Sequence, residues 1–172
     1  MNDVNKSISK VETLLGVSNM EKSKTFYETV LEQKVMLDAG GLMVKFESGF
    51  SLQYNYVDVV EGGETFAPNP TGAKLEIQTR HNSCQIGFEV EDLEYWVTKV
   101  KSAEGIELIH DIAEYNWGQL VFRFYDFDGH IVEIGESEQA CAKRLLAQGL
   151  SIDEIAKRTW SPVEVVQQLL GK

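Results

Sequence analysis

The chain has 172 residues, which is enough for one full hydrophobic core or for one domain with an appendage. Its content of 43% hydrophobic and 25% charged residues is that of an ordinary globular protein. The formal net charge of −11 argues against nucleic acid and anionic membranes as partners, because a surface that binds phosphates needs a basic footprint. No apolar run reaches the roughly 18 residues of a membrane span.

The N-terminal residues have no apolar stretch of the kind that a signal peptide carries. The two cysteines, Cys84 and Cys141, form neither a CxxC motif nor a disulfide framework, and this usage suits a reducing compartment. Together these features predict a cytoplasmic protein.

Taken in chain order, the first predicted element is a strand over residues 11–17, followed by a helix capped by Ser18 or Asn19. The same order returns as a strand over residues 85–90, a cap at Glu91-Asp92 and a second helix. A shift of 73 residues superposes the two segments and places Glu12 on Gln85. The chain therefore contains a candidate internal repeat.

A second pair of segments repeats later in each half. The turns at Ser48-Gly49 and Asp128-Gly129 are each followed by a strand. When the two glycines are superposed, Gln53 lies on Glu133. Each half then consists of a strand, a helix and several further strands.

Four oxygen-bearing side chains occupy matching places in these halves: Glu12, Gln53, Gln85 and Glu133. Alternate residues of a strand point to opposite faces, so one face of each sheet packs on its helix and the other is free. Two sheets related by a pseudo-twofold axis would bring the four side chains together in a cleft. Such a set suits a divalent ion whose remaining positions are filled by water. The alternative is that Gln53 and Gln85 hydrogen-bond one another or an organic ligand, that both glutamates are partly solvated, and that the pocket holds no metal.

The first strand, the helix containing Phe26-Tyr27 and the closing segment "YDFDGHIVEIGE" resemble the vicinal oxygen chelate superfamily, which includes glyoxalase I, bleomycin-resistance proteins and extradiol dioxygenases. The resemblance covers about residues 10–136. It implies an α+β fold in which paired βαβββ modules, at about 10–60 and 82–136, form a U-shaped cleft within a domain of residues 1–136.

The resemblance also implies a metal site. Ligands in that family come from the first and last strands of each module, which correspond here to Glu12, Gln53, Gln85 and Glu133. The implied cofactor is a divalent ion (Ni, Mn, Mg, Co or Zn). The family pattern has His or Gln on the first strands and Glu on the last ones, and this chain departs from it at positions 12 and 53.

The implied function is that of a glyoxalase-like lyase or isomerase acting on a small molecule. The metal would serve as a Lewis acid, and Glu133 or Glu12 would move the proton between adjacent carbons. One alternative is a non-catalytic ligand-binding or bleomycin-type resistance protein. Another is a small-molecule sensor that acts through its C-terminal tail. Members of the family are commonly dimers, so a homodimer is expected.

Four further residues are candidates for substrate binding: His110, Tyr115, Trp117 and Arg123. For each of them a structural role is the alternative, and for Arg123 this would be an ion pair with an acidic residue. The connection from Glu61 to Ser83 is predicted to be a linker or a mobile flap.

Residues 137–172 are predicted to form a three-helix extension. Gly149 would end the first helix, and Ser151 with Glu154 would open the second through a capping box. A second capping box is expected at Ser161 and Glu164, with Pro162 in the first helical position. The extension would pack on the domain or on a second subunit.

Overall fold

A computed structural model describes residues 11–61, 79–80 and 82–172, without the side chains of Asp58 and Val60. The chain divides into two compact units, one ending at Ile77 and the other beginning at Gln78. Each unit contains one βαβββ module, which confirms the predicted α+β class and the paired modules. Most of the predicted connection between Glu61 and Ser83 lies outside the described residues.

The first module is a mixed four-stranded sheet in the order β1-β4-β3-β2, where β1 and β4 run parallel. Asn19 caps its helix by accepting a hydrogen bond from the backbone N–H of Lys22, at 3.0 Å. Its elements are β1 (Thr13–Val17), α1 (Met20–Thr29), β2 (Val35–Asp38), β3 (Met43–Phe46) and β4 (Phe50–Tyr54), followed by a short helix, α2 (Tyr56–Glu61).

The core of the first module lies between its sheet and α1. Tyr27 of α1 is fully buried, with its ring centroid 5.8 Å from that of Phe46 and 5.1 Å from that of Phe50. Leu15 and Leu52 face the same side of the sheet and are buried as well. The opposite face is therefore the free one, as the alternation of residues predicts.

The second module repeats this topology with the strand order β5-β8-β7-β6. Its elements are β5 (Gln85–Val90), α3 (Leu93–Lys101), β6 (Glu107–Glu114), β7 (Leu120–Tyr125) and β8 (Ile131–Glu136). Asp92 caps α3, as the sequence indicated. The core again lies on the helix side of the sheet, and its buried residues are Leu93, Val97, Val100, Phe122, Phe124, Val132 and Ile134.

The Asp-x-Asp-Gly turn before β8 is a structural element. The buried carboxylate of Asp126 accepts hydrogen bonds from the backbone N–H groups of Asp128, at 3.0 Å, and His130, at 2.8 Å. The ring of His130 adds an ion pair to the same carboxylate, with Nδ1 2.9 Å from Oδ2. Gly129 has a φ of +82°, which glycine adopts without the steric cost of a side chain. The turn thereby fixes the residue at which β8 begins.

The predicted three-helix extension consists of α4 (Glu138–Ala147), α5 (Ile152–Thr159) and α6 (Val163–Leu169). The first predicted capping box forms: Ser151 and Glu154 bond reciprocally at the start of α5. The second was wrong. Pro162 occupies the N-cap of α6 with no side-chain cap, because the hydroxyl of Ser161 turns back to donate to the carbonyl of Thr159.

An arginine attaches the extension to the second module. The carboxylate of Glu136, at the end of β8, accepts from Nε of Arg144 at 2.7 Å and from Nη2 at 2.9 Å. The same carboxylate accepts the backbone N–H of Leu120 at 3.0 Å, and Arg144 also donates to the carbonyl of Gly118. The helices therefore pack on the end of the sheet where β5 and β8 finish and β7 begins. Their own apolar core includes Leu145 and Ile155.

Within the described part of the chain, none of the helices has the length and apolar character required to cross a membrane.

His130 should make stability depend on pH. Burial alone would lower its pKa, but the hydrogen bond and charge of Asp126 together with the charge of Asp128 outweigh burial and raise the pKa. A raised pKa in the folded state gives stabilisation that is complete below the unfolded pKa and is lost as pH rises through the folded one. In urea unfolding, the cost of His130→Gln should be larger near about pH 5.5 than near about pH 8.5. An equal cost at both pH values would contradict the pairing.

Candidate functional site

The free face of the second sheet carries three of the candidate residues side by side. Strand pairing places Arg123 of β7 opposite Glu133 of β8, while Gln85 of β5 lies opposite Ile131, two residues before Glu133. Cross-strand partners share a face, so Gln85, Arg123 and Glu133 all point away from α3. Gly87 pairs directly with Glu133 and leaves room for it, since a Cβ at Gly87 would lie 3.8 Å from Oε1 of Glu133.

The guanidinium of Arg123 is the centre of this group. It forms a half-buried ion pair with the carboxylate of Glu133. Its Nε donates to Oε1 of Gln85 at 3.1 Å, and its Nη1 contacts Nε2 of His110 at 3.1 Å and donates to the hydroxyl of Tyr115. Each of the three guanidinium nitrogens thus has a partner, and the fork geometry of arginine matches this arrangement. We call these five residues the arginine cluster.

The contacts of His110 define its protonation. Its Nε2 faces a guanidinium, which only donates, so Nε2 must be the acceptor. Its Nδ1 lies 2.7 Å from the backbone carbonyl of Asp111, so Nδ1 carries the proton. Register irregularities on both sides of His110 in β6 aim the ring at Arg123. Both ring nitrogens of His110 are therefore engaged by neighbouring groups.

Tyr115 and Trp117 extend the cluster along the β6–β7 connection. The ring of Tyr115 lies under the guanidinium of Arg123, at 4.9 Å, and stacks on Trp117 with a centroid separation of 4.6 Å. The ring of Trp160, which is 74% exposed, lies 5.9 Å from that of Trp117. All four predicted substrate-binding residues are thus neighbours, although their part in binding stays a prediction.

The other two candidates, Glu12 and Gln53, lie in the first unit and contact different groups. Oε1 of Glu12 forms an ion pair with Nζ of Lys45 at 2.8 Å. The amide of Gln53 is buried and donates to the backbone carbonyls of Leu42, at 2.8 Å, and Tyr54, at 3.0 Å. Each of these two side chains thus has partners within its own sheet. Because the units are described separately, convergence of all four residues remains a prediction.

The strand registers also refine the repeat. In the first module Gly16 pairs with Gln53, and in the second Gly87 pairs with Glu133. By this pairing the residue equivalent to Gln85 is Leu14, two residues after Glu12. A slip of two residues keeps every side chain on the same face, so the alternation pattern cannot reveal it. Glu12 lies outside β1, which begins at Thr13.

The oxygens of Gln85 and Glu133 do not fit a divalent ion in this arrangement, because both already bind a cation, the guanidinium of Arg123. A metal would have to displace the arginine and lose the hydrogen bonds that it makes. In residues 11–61, 79–80 and 82–172, no group of three or more His, Cys, Asp or Glu side chains is placed to hold a metal ion.

Lys45 is the residue that the sequence interpretation missed. It lies on β3 between the buried residues Val44 and Phe46, so the alternation alone places it on the free face. Each of the two predicted catalytic carboxylates is therefore paired with a basic side chain of its own sheet: Glu12 with Lys45, and Glu133 with Arg123.

The fold and this face define a protein of two βαβββ modules with a polar cluster on the free side of the second sheet. The sequence profile of the glyoxalase-like domain matches residues 11–139, and the chain belongs to that family. This confirms the family resemblance. No curated protein matches the chain.

Several solved structures share the fold. A protein of unknown function from Agrobacterium tumefaciens is 30% identical, with a TM-score of 0.62, and the match covers 77% of this chain and 96% of that one. A lactoylglutathione lyase from the same organism is 22% identical, with a TM-score of 0.55 and coverage of 77% and 96%. The fosfomycin resistance protein of Listeria monocytogenes is 17% identical, with a TM-score of 0.52 and coverage of 76% and 95%. The last two likenesses concern the fold alone.

A double-mutant cycle on Arg123 and Glu133 should show that these two residues stabilise each other. Arg123→Met leaves the half-buried Glu133 without its cation, and we expect a loss of about 1 to 3 kcal/mol in the free energy of unfolding. Glu133→Gln should show a similar loss. The double variant should cost clearly less than the sum of the two, because it leaves no lone charge.

The control for this cycle is the exposed pair Arg158–Glu114 in the same unit, with Nη2 and Oε1 2.8 Å apart. Its coupling should stay below about 1 kcal/mol, as for surface ion pairs. Urea unfolding of both cycles measures the difference. Additive losses at Arg123 and Glu133 would show that the two residues do not stabilise each other.

Proposed function

We propose that the chain is a small-molecule-binding member of the glyoxalase-like family that works without a divalent ion at Glu133. The observation that carries this proposal is the bond of the Arg123 guanidinium to both Gln85 and Glu133. A fixed guanidinium supplies the positive charge that a metal would supply, and it has no open coordination position for a substrate oxygen.

The contacts within the cluster also favour binding over catalysis. A general base needs a free lone pair within reach of a proton on the substrate. Arg123 holds the carboxylate of Glu133 in an ion pair and also contacts Nε2 of His110, so both candidate bases are fixed against the guanidinium. Arg123 donates a hydrogen bond to the hydroxyl oxygen of Tyr115, so the hydroxyl hydrogen points away from Arg123. The cluster therefore presents a rigid surface rather than a free base.

The ligand that fits this face is a neutral or zwitterionic molecule with a flat portion. Arg123 and Glu133 neutralise one another, and the stacked rings of Tyr115 and Trp117 form an apolar wall beside them. Sequestration rather than turnover would then be the activity.

A metal-dependent lyase or isomerase is the second candidate. It is favoured by the fact that Oε1 of Gln85 and the carboxylate of Glu133 converge on one cation, as two metal ligands would. For this function Arg123 would have to leave the cluster when the ion binds. The two candidates therefore differ in a measurable quantity, the metal stoichiometry of the protein.

We expect the protein to bind none of Ni²⁺, Co²⁺, Mn²⁺, Mg²⁺ and Zn²⁺ in a one-to-one ratio. The measurements are elemental analysis of protein purified without chelator and calorimetric titration with each ion. Arg123→Met should increase affinity for these ions by freeing two oxygens, and the added Glu133→Gln should remove that gain. One tightly bound equivalent in the unaltered protein, lost in Glu133→Gln, would favour the lyase instead.

A further inference from the structure

The C-terminal helices enclose a cavity of about 240 Å³ against the end of the second sheet. This is several times the roughly 30 Å³ that one water molecule occupies in the liquid. The cavity does not contain Gln85, Arg123 or Glu133 and is therefore separate from the arginine cluster. Its lining comes from β5, the β6–β7 connection, α4, the end of α5, the α5–α6 connection and α6: Glu89, Trp117, Gln119, Glu138, Cys141, Ala142, Thr159, Ser161, Val166 and Leu169.

The charge of the lining has one sign. Glu89 and Glu138 contribute two carboxylates, and none of the lining residues is basic. The arginines of this region are engaged elsewhere, Arg144 with Glu136 and Arg158 with Glu114. Among the residues that the structure describes, neither Glu89 nor Glu138 forms an ion pair. Both carboxylates are exposed, so they give the mouth of the cavity a negative potential that a positive ligand would relieve.

The hydrogen-bonding groups of the lining are mostly acceptors with free capacity, because their hydrogens are already used. Nε1 of Trp117 donates to Oε1 of Gln119 at 3.0 Å, and Nε2 of Gln119 donates to the carbonyl of Glu136 at 2.6 Å. The hydroxyl of Thr159 donates to the carbonyl of Ile155 at 2.9 Å, and that of Ser161 to the carbonyl of Thr159 at 3.3 Å. Apart from the second N–H of Gln119, what remains is carboxylate oxygen and hydroxyl lone pairs, which need a donor.

The thiol in the wall does not alter this chemistry. Burial, followed by the charge of Glu136, raises the pKa of Cys141 to about 11, so the sulfur stays protonated and uncharged at neutral pH. The remaining wall is apolar, formed by Val166, Leu169 and the indole of Trp117. A ligand that satisfies all of these groups has a head that only donates and carries positive charge, joined to an apolar body.

We propose that this cavity is a binding site for a primary organic ammonium ion, with the ammonium group between Glu89 and Glu138 and the apolar portion against Trp117 and α6. An ammonium group supplies three donors and no acceptor, which complements the lining. The indole of Trp117 supplies part of the apolar wall beside it. The site exists only because the helical extension packs on the module, since α4, α6 and the α5–α6 connection form most of its wall.

The probe that tests this is benzylammonium, compared with benzyl alcohol, which has a similar shape without charge, and with benzoate, which has the opposite charge. We expect saturable one-to-one binding of benzylammonium by calorimetry, at least tenfold weaker binding of benzyl alcohol, and none of benzoate. Tryptophan fluorescence should change with the same midpoint, because Trp117 lines the cavity. Failure of benzylammonium to bind, or equal binding of benzyl alcohol, would overturn the proposal.

Variants locate the site. Glu89→Gln and Glu138→Gln should each weaken benzylammonium binding by about tenfold. Glu94→Gln, which removes the same charge from the exposed first turn of α3, should leave the affinity unchanged. If all three variants weaken binding equally, the effect comes from net charge and the cavity is not the site.

The test also separates this site from the arginine cluster. Arg123→Met should alter the metal titration while leaving the affinity for benzylammonium within about twofold. Loss of benzylammonium binding in Arg123→Met, with full binding in Glu138→Gln, would place the ammonium ion at the cluster and overturn the assignment to the cavity.

Discussion

Two carboxylates in one inner strand require positive partners, and the second unit is arranged around that constraint. Glu133 and Glu136 lie three residues apart in β8, so they point to opposite faces of the sheet. A half-buried or buried carboxylate without a cation costs more than one that is paired. Arg123 of the neighbouring strand neutralises the first, and Arg144 of the extension neutralises the second. One pair forms the candidate site, and the other attaches the helices that enclose the cavity.

The same solution occurs in the first unit at smaller scale. Glu12 and Lys45 form an ion pair on the free face of that sheet, where the family pattern predicts a metal ligand. The basic residues come from β3 and β7, the corresponding strands of the two modules, but from different positions along them. The pairing of Arg123 with Glu133 corresponds by register to that of Met43 with Gln53. Each module thus pairs its carboxylate with a basic residue of its own sheet. The two basic residues, Lys45 and Arg123, do not occupy equivalent positions in β3 and β7.

Much of the fold could be predicted from the sequence because local signals are strong where they occur. Asn19, Asp92 and Ser151 each cap a helix at the predicted place, since a short polar side chain ahead of an amphipathic run has few other uses. The failure at Ser161 shows the limit of such signals. There Pro162 holds an extended backbone and the serine finds another acceptor, so the same motif no longer caps a helix.

The sequence predicted which candidate residues share a face of the second sheet, but not the contacts that they make. The alternation of residues correctly placed Gln85 and Glu133 on one face of the second sheet. It carries no information on a register slip of two residues, and such a slip separates Glu12 from Leu14, the residue of the first module that is equivalent to Gln85. The partner of Arg123 could not be selected from 27 acidic residues, because ion pairs depend on strand order rather than on spacing. A metal ion and an arginine both bind converging carboxylate and amide oxygens, so the sequence pattern of a metal site and that of an arginine cluster look alike.

The stacked rings give the extension a structural link to the cluster. Tyr115 contacts Arg123 on one side and Trp117 on the other, and Trp117 is also a wall of the cavity. Gln119 strengthens this junction, because its side chain hydrogen-bonds both Trp117 and the carbonyl of Glu136 at the end of β8. The space beside Gln119 requires a glycine at position 135, since a Cβ there would lie 2.9 Å from Cγ1 of Val121 and 3.2 Å from Nε2 of Gln119. The residues that orient the arginine are therefore the ones on which the helices pack. The C-terminal extension is therefore part of the candidate binding face, because Trp160 packs beside Trp117 of the aromatic wall. The extension also adds the acidic, acceptor-rich cavity beside the arginine cluster, in which Arg123 and Glu133 neutralise each other.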